Sequence, residues 1–365
     1  MIFLSLFLLI LGLLQLVAAH ARLSGMSLTG SRRWPGYLAG IVLFISGAYL
    51  MPATLMTLLM LLPAGLLALA GLLVFGSWAG RTLDPGRFLR PGAWPEGRCE
   101  AVRIPNGQVV IPGLFITSPS PTGAAVCVVH GSGDNKTAFK WRLIDALLKR
   151  GLNVLTVDLA GHGENGAPQC WPDCTAEIPA ALAWLRTQPS IQHVGLLGIS
   201  MGGALSAHAA AAARPDALAL CETPISFHFT RAMVWREIWH VLRSPVLDLL
   251  RETTAWQIRR TWDAGRADRE IALADLIHRL DVPGQVARLA CPLHLVYGQL
   301  DGIAPPEHGR RLQQAASVPC CLTIVPGASH VTLTLMSQTT GTLAEWMAQQ
   351  LAPDQWQQNV SFSYV

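Results

Sequence analysis

Between the small apolar run Val194 to Leu197 and an alanine-rich helix-forming run from Ala204 to Ala213 stands Gly198-Ile199-Ser200-Met201-Gly202. Strand, serine, helix is the context in which G-x-S-x-G forms a sharp turn that lifts the serine clear of a sheet. The turn is so tight that the positions flanking the serine must lack bulk, and Gly198 and Gly202 supply that room. From Ala124 onward, apolar strand-like runs alternate with helical patterns. That is the signature of an α/β architecture, a mostly parallel sheet with helices on both faces.

A serine hydroxyl is a weak nucleophile until a base takes its proton. Asp301 closes Tyr297-Gly298-Gln299-Leu300-Asp301, directly after the apolar run Leu293 to Tyr297. His330 closes Pro326-Gly327-Ala328-Ser329-His330, directly after Leu322 to Val325. Separately, one is a turn aspartate before Gly302 and the other a surface histidine. Together, in the order Ser, Asp, His and at the ends of successive strands, they suit a catalytic triad with His330 as base and Asp301 as its orienting acid. Glu222, after the strand-like Ala217 to Cys221, is the alternative acid. Asp301 is favoured.

A fourth element is wanted to stabilise an oxyanion. His130-Gly131-Ser132-Gly133 follows the strand-like Ala124 to Val129. It precedes a helix expected over 136–150, with Phe139, Leu143 and Leu147 at helical spacing and Gly151 as the stop. The N–H groups of Ser132 and of Met201, the residue after the nucleophile, are the expected donors. Loss of one such donor costs about 3 kcal/mol in transition-state stabilisation. His130 is expected to brace this loop, with Gly131 and Gly133 giving it its shape.

These residues carry a resemblance. His130-Gly131, Asp158-Leu159-Ala160-Gly161-His162-Gly163, Gly198 to Gly203, Gly298 to Asp301 and His330 resemble the alpha/beta-hydrolase superfamily, most of all its monoacylglycerol-lipase and serine-aminopeptidase-like branch. The resemblance spans about Val126 to Val331 and is specific for fold rather than substrate. It implies that the Asp158 to Gly163 stretch is a structural loop, so His162 is not the base. It also implies that an insertion after Cys221 forms a helical lid over the nucleophile.

The first eighty residues are different material. No Asp or Glu precedes Asp84, and Arg22, Arg32 and Arg33 are the only basic residues before Arg81. This depresses the charged fraction to 14%, against about 25% in ordinary soluble domains. Ile2 to Ala19 is long enough to span a bilayer, and uncharged Tyr37 to Ala79 is about twice one span. We expect about three transmembrane helices, the last two joined near Met51 to Thr57 or near Pro63. A secretory signal is the rival for the first segment, but it lacks a basic leading region. The arginines at 22, 32 and 33 and those at 81, 87 and 90 then lie in the cytoplasm with the catalytic domain. The lipid bilayer is thus an expected partner, in an inner or plasma membrane.

The expected division is an anchor over 1–80, a Pro- and Gly-rich linker over 81–98, a hydrolase domain over 99–355 and a tail over 356–365. Within the domain, Val109 to Thr117 suits an edge hairpin. The lid is expected over 223–290, where Trp235, Trp239, Trp256 and Trp262 collect. They either pack the lid onto the core or line an apolar acyl pocket. Arginines there are balanced by nearly as many carboxylates, so composition gives no hint of an anionic substrate, and a net charge of +4 is too small to suggest nucleic acid.

Eight cysteines permit disulfides, yet Cys127 and Cys221 fall in central strands as small buried hydrophobes. Cys170 and Cys174 have no second close pair of ligands, so no metal and no cofactor is expected. The expected activity is hydrolysis of a carboxylic ester or thioester, lipid-like substrates included, through an acyl-enzyme on Ser200. A peptidase or acyltransferase using the same triad is the first alternative. An inactive binding module is the second, and a complete triad with an oxyanion loop argues against it.

Overall fold

Strand β1 (Arg98–Asn106) turns at Gly107 and pairs antiparallel with β2 (Val109–Thr117), in a register that sets Asn106 opposite Val109 and Arg98 opposite Thr117. The computed structural model describes residues 2–20, 33–50, 98–136, 141–228, 230–243 and 268–353. Six further strands follow: β3 (Ala124–Val129), β4 (Asn153–Val157), β5 (His193–Ile199), β6 (Ala217–Cys221), β7 (Leu293–Gly298) and β8 (Cys320–Val325). They form one eight-stranded sheet in the order β1-β2-β4-β3-β5-β6-β7-β8. β2 runs antiparallel to β4, and every pairing from β4 to β8 is parallel.

Parallel strands covered on both faces read as unbroken apolar runs, and β3 shows why. Alternate side chains point to opposite faces. Ala125, Cys127 and Val129 enter one core with Leu182, Leu185, Leu205 and Leu280, while Ala124, Val126 and Val128 enter the other with Leu143, Leu147 and Met347. The first face is covered by helices Glu177–Arg186, Met201–Ala213, Leu273–Leu280, Val282–Val286 and Pro306–Ala315. The second is covered by Trp141–Leu148 and Ser337–Leu351. Cys127 and Cys221 are completely buried, and all eight cysteines are free thiols.

The helix expected over 136–150 is shorter. It runs Trp141–Leu148, 137–140 lie outside the described residues, and Lys136 is held by Asp158 instead. The helix after Ser200 starts at Met201, because the turn itself opens the helix.

At the N-terminal end, helix Ile2–His20 packs on helix Arg33–Tyr49. Polar side chains join them: Ser5 Oγ donates to Gly47 O at 2.7 Å, Gln15 Nε2 donates to Gly36 O at 3.2 Å, and His20 Nδ1 lies 2.9 Å from Tyr37 Oη. Such side-chain bonds are a usual means of joining apolar helices. Among the described residues only Phe3–His20, with mean hydropathy 2.2 over 18 residues, is long and apolar enough to cross a membrane by length and composition. The expectation of about three spans is therefore not met by what is described: the apolar part of the second helix, Trp34–Tyr49, is shorter than a span. The remainder of the expected pair, with its turn near Met51 to Thr57 and the linker, lies outside the described residues.

Candidate active site

Ser200 stands between β5 and the helix Met201–Ala213, with φ 52° and ψ −119°. A residue with a side chain held there carries strain of about 1–3 kcal/mol. Ser200 N–H donates to Cys221 O at 2.9 Å, and the N–H groups of Gly203 and Ala204 donate to Ser200 O at 2.9 and 3.2 Å. A Cβ at Gly198 would lie 2.5 Å from Ser206 Oγ, and one at Gly202 would run into the His130 carbonyl oxygen. Sterics thus account for both glycines of the motif.

Ser200 Oγ lies 3.0 Å from His330 Nε2, and His330 Nδ1 lies 2.7 Å from Asp301 Oδ2. The other carboxylate oxygen, Asp301 Oδ1, accepts the N–H groups of Ile303 and Ala304, both at 2.8 Å. Asp301 is buried. An ionised carboxylate at that place takes Nδ1–H, which leaves the Nε2 lone pair facing the serine hydroxyl. This is the arrangement in which imidazole can accept the serine proton. The sheet brings the three residues together from the ends of β5, β7 and β8, across 130 residues of chain.

Glu222, at the end of β6, has φ 45°, and its N–H donates to Val296 O at 2.8 Å. It is buried, with Oε2 lacking a hydrogen-bond partner. Acceptor atoms of Glu222, Asp301 and His330 lie within 4.8 Å of one another. Both nitrogens of His330 are already engaged, by Ser200 and Asp301, so the ring has no free lone pair for a cation. Burial pushes the Glu222 carboxyl up to about 8, against the pull of His330 and with Asp301 and Glu237 adding to the rise. For His330, burial alone acts downward, but the charges of Glu222, Asp301 and Glu237 outweigh it and raise the imidazole to about 9. The two groups share a proton balance: a neutral Glu222 removes one of the charges that favour imidazolium.

The loop expected to hold an oxyanion is anchored from behind. His130 is fully buried, with Nδ1 2.8 Å from Gly131 O and Nε2 accepting Leu159 N–H at 3.0 Å, so both ring nitrogens are bound to backbone. Lys136 Nζ pairs with buried Asp158, whose Oδ1 accepts Lys136 N–H and whose Oδ2 accepts Glu164 N–H, each at 2.8 Å. The loop after β3 is thereby fastened to the loop after β4. His162 Nδ1 is 2.9 Å from Ala160 O and its Nε2 lies 3.3 Å from Arg269 Nη2, so both ring nitrogens are engaged with groups other than Ser200 and Asp301. Gly131 stands against the nucleophile: a Cβ there would be 3.1 Å from Ser200 Cβ. Ser132 and Gly133 follow it into the loop. Met201 opens its helix, so its N–H has no intrahelical acceptor and is free to face a ligand.

Two contributors gave no sequence signal. Glu237, on helix Arg231–Arg243, is buried, and its Oε2 accepts Val331 N–H at 3.2 Å, next to His330. Arg236, one residue earlier, places its guanidinium where a Gly302 Cβ would sit, beside the Asp301 loop. The insertion therefore touches the loops of both the acid and the base. Trp235 and Trp239 on the same helix are 52% and 53% exposed, so neither serves as core packing. Trp256 and Trp262 lie outside the described residues.

A mostly parallel sheet with a serine at a strained strand-to-helix turn, and Asp and His at later strand ends, defines a fold class that sequence comparison also reaches. The chain belongs to the alpha/beta hydrolase family, whose match covers residues 126–345. It is 24% identical over 192 residues to human protein ABHD12B, a match covering 52% of this chain and about half (49%) of that protein. It is 24% identical over 233 residues to the pimeloyl acyl-carrier-protein methyl ester esterase of Pseudoalteromonas atlantica, covering 57% of this chain and 88% of the esterase. The Pyrococcus furiosus esterase Pf2001 shares the fold with a TM-score of 0.52 at 18% identity, over 70% of this chain and 92% of that one.

Proposed function

We propose that this chain is a membrane-anchored serine hydrolase that cleaves a carboxylic ester or thioester through an acyl-enzyme on Ser200. The observation that carries the proposal is the linked series Ser200 Oγ, His330 and Asp301, at 3.0 and 2.7 Å. Ser200 Oγ attacks the carbonyl carbon while its proton passes to His330 Nε2. The oxygen that gains charge is held by the N–H groups of Ser132 and Met201. The bond to the leaving alcohol or thiol breaks as His330 returns the proton to it. Water then gives its proton to His330 and attacks the acyl carbon, and the acid leaves as Ser200 recovers its proton. An acceptor alcohol in place of water makes the same site a transferase. Esterases among the similar proteins support ester cleavage over amide cleavage.

Helix Ile2–His20 supports anchoring, and Arg22, Arg32 and Arg33 before the uncharged stretch with Arg81, Arg87 and Arg90 after it favour a cytoplasmic catalytic domain, with that stretch crossing twice. A reporter active only outside the cytoplasm is expected to be silent when fused after Val365; a bright fusion there would refute this orientation.

Tethering also raises the local concentration of lipidic substrates, and half-exposed Trp235 and Trp239 on a lid over the site suit an acyl chain. Each buried methylene contributes about 0.8 kcal/mol, or roughly four-fold in kcat/KM. A series of 4-nitrophenyl esters is therefore expected to show kcat/KM rising with acyl length beyond about four carbons. A preference for acetyl esters overturns the lipid-like reading and leaves the triad untouched.

A further inference from the structure

Lid composition gives no reason to expect a charged substrate, but the position of one arginine does. Arg269 lies where the insertion returns toward helix Leu273–Leu280. Its backbone is seated on the loop after β4: Gln169 N–H donates to Asp268 O at 2.8 Å, and Asp268 N–H to Gly161 O and Glu270 N–H to Gln169 O, each at 3.0 Å. Gly161 has φ +74°, and a Cβ on it would overlap the Asp268 carbonyl oxygen, so glycine is what admits this returning segment. The seat is built into the fold.

From there the side chain reaches the oxyanion loop. Arg269 Nη2 donates to Ser132 Oγ and lies 3.3 Å from His162 Nε2. The Nδ1 of His162 faces the Ala160 carbonyl oxygen at 2.9 Å, so Nδ1 carries the hydrogen and Nε2 accepts from the guanidinium. Both acceptors are neutral. Arg269 Nε is buried without a hydrogen-bond partner. Burial is the influence on this group, drawing its pKa down, and no carboxylate among the described residues counters it. A guanidinium stays charged, and a half-buried cation with no ion pair to a carboxylate among the described residues is suited to taking an anion from a ligand. Ser132 adjoins Gly131, which stands against Ser200, so an anion bound by Arg269 would lie toward the reacting carbonyl.

We propose that Arg269 is an anion-binding residue of this active site, and that the favoured substrate is an ester or thioester bearing a carboxylate or phosphate close to the scissile bond. The planar guanidinium suits either group by paired hydrogen bonds. The proposal rests on the serine-hydrolase reading and names its substrate class.

Two matched pairs test it on the full chain and separate the sources of the anion. The acyl-side pair is 4-nitrophenyl hemiglutarate against 4-nitrophenyl pentanoate. The alcohol-side pair is 1-octanoylglycerol 3-phosphate against 1-octanoylglycerol. The wild type is expected to prefer the charged member of at least one pair by about ten-fold or more in kcat/KM, as a buried arginine–anion contact would give. Arg269→Met should bring that ratio close to one, and Arg269→Lys should keep part of it. No preference in the wild type overturns the proposal, and that result stands even if Arg269→Met fails to fold. Equal loss on charged and neutral members in Arg269→Met also overturns it, since the residue then serves only the Ser132 loop. Turnover of neutral esters with fluorophosphonate labelling, but without charge preference, removes this proposal alone; absence of all turnover and labelling removes the hydrolase reading as well.

Discussion

Ser200→Ala is expected to abolish labelling by a fluorophosphonate probe and to lower kcat on any ester substrate by about 10⁶-fold, as nucleophile loss does in comparable triads. The fold should survive. The hydroxyl makes its hydrogen bond to His330, while the strained turn is held by backbone bonds to Cys221, Gly203 and Ala204 that alanine retains. Alanine also occupies the same φ region at similar cost, so thermal unfolding should shift little. Residual turnover of about 10³–10⁴ over water is expected if the Ser132 and Met201 donors act as proposed. Undiminished labelling of the alanine variant would mean that another nucleophile reacts and that the Ser200–His330 contact is structural.

Much of this site is readable from the chain because it depends on local rules. G-x-S-x-G between strand and helix has one low-energy shape; Gly198 is required by contacts only a few residues away, with Ser206 and Gly202, while Gly202 makes room for the His130 carbonyl at the end of the neighbouring strand. Asp301 and His330 are readable because each follows an apolar run of strand length, and successive parallel strands deliver their C-terminal ends to one side of the sheet. The strands 124–129 and 217–221 coincide with their apolar runs, since a strand covered on both faces has no polar interruption to blur its limits. Glu237 and Arg269 were not readable. Their placement depends on how the insertion folds back over the sheet, through contacts such as Gly161 with Asp268 and Val331 with Glu237 that span about a hundred residues. Composition gave no signal for Arg269 in particular: the insertion balances its charges in number, while the guanidinium reaches Ser132 and His162 rather than a described carboxylate. The number of spans in the expected anchor is hard to read for a different reason. Hydropathy reports that a segment is apolar, and it cannot set where one helix stops within the uncharged stretch after Arg33.

The question of which carboxylate acts with His330 has a sharp answer in prospect. Asp301→Asn is expected to lower kcat about 10⁴-fold. An asparagine amide donates to Nδ1 and so moves the ring hydrogen to Nε2, where it blocks acceptance of the serine proton. Glu222→Gln is expected to act on pH dependence instead, because Glu222 reaches His330 by charge while Asp301 holds Nδ1 directly. The sign follows from the base. His330 must be neutral to accept a proton, and nearby carboxylates raise it above its ordinary 6.5 toward about 9. Activity in the wild type should therefore climb with pH well past neutrality. Glu222, itself raised to about 8, carries its charge only as pH climbs past neutrality. Removing that charge lowers the imidazole pKa, so the kcat/KM profile should reach its plateau at lower pH. The variant should be ahead of the wild type between neutrality and about 9, and the two alike at lower pH, where Glu222 is already neutral. Should Glu222→Gln prove the crippling change and Asp301→Asn the mild one, the orienting acid sits on β6 and the 2.7 Å contact to Asp301 is a bystander.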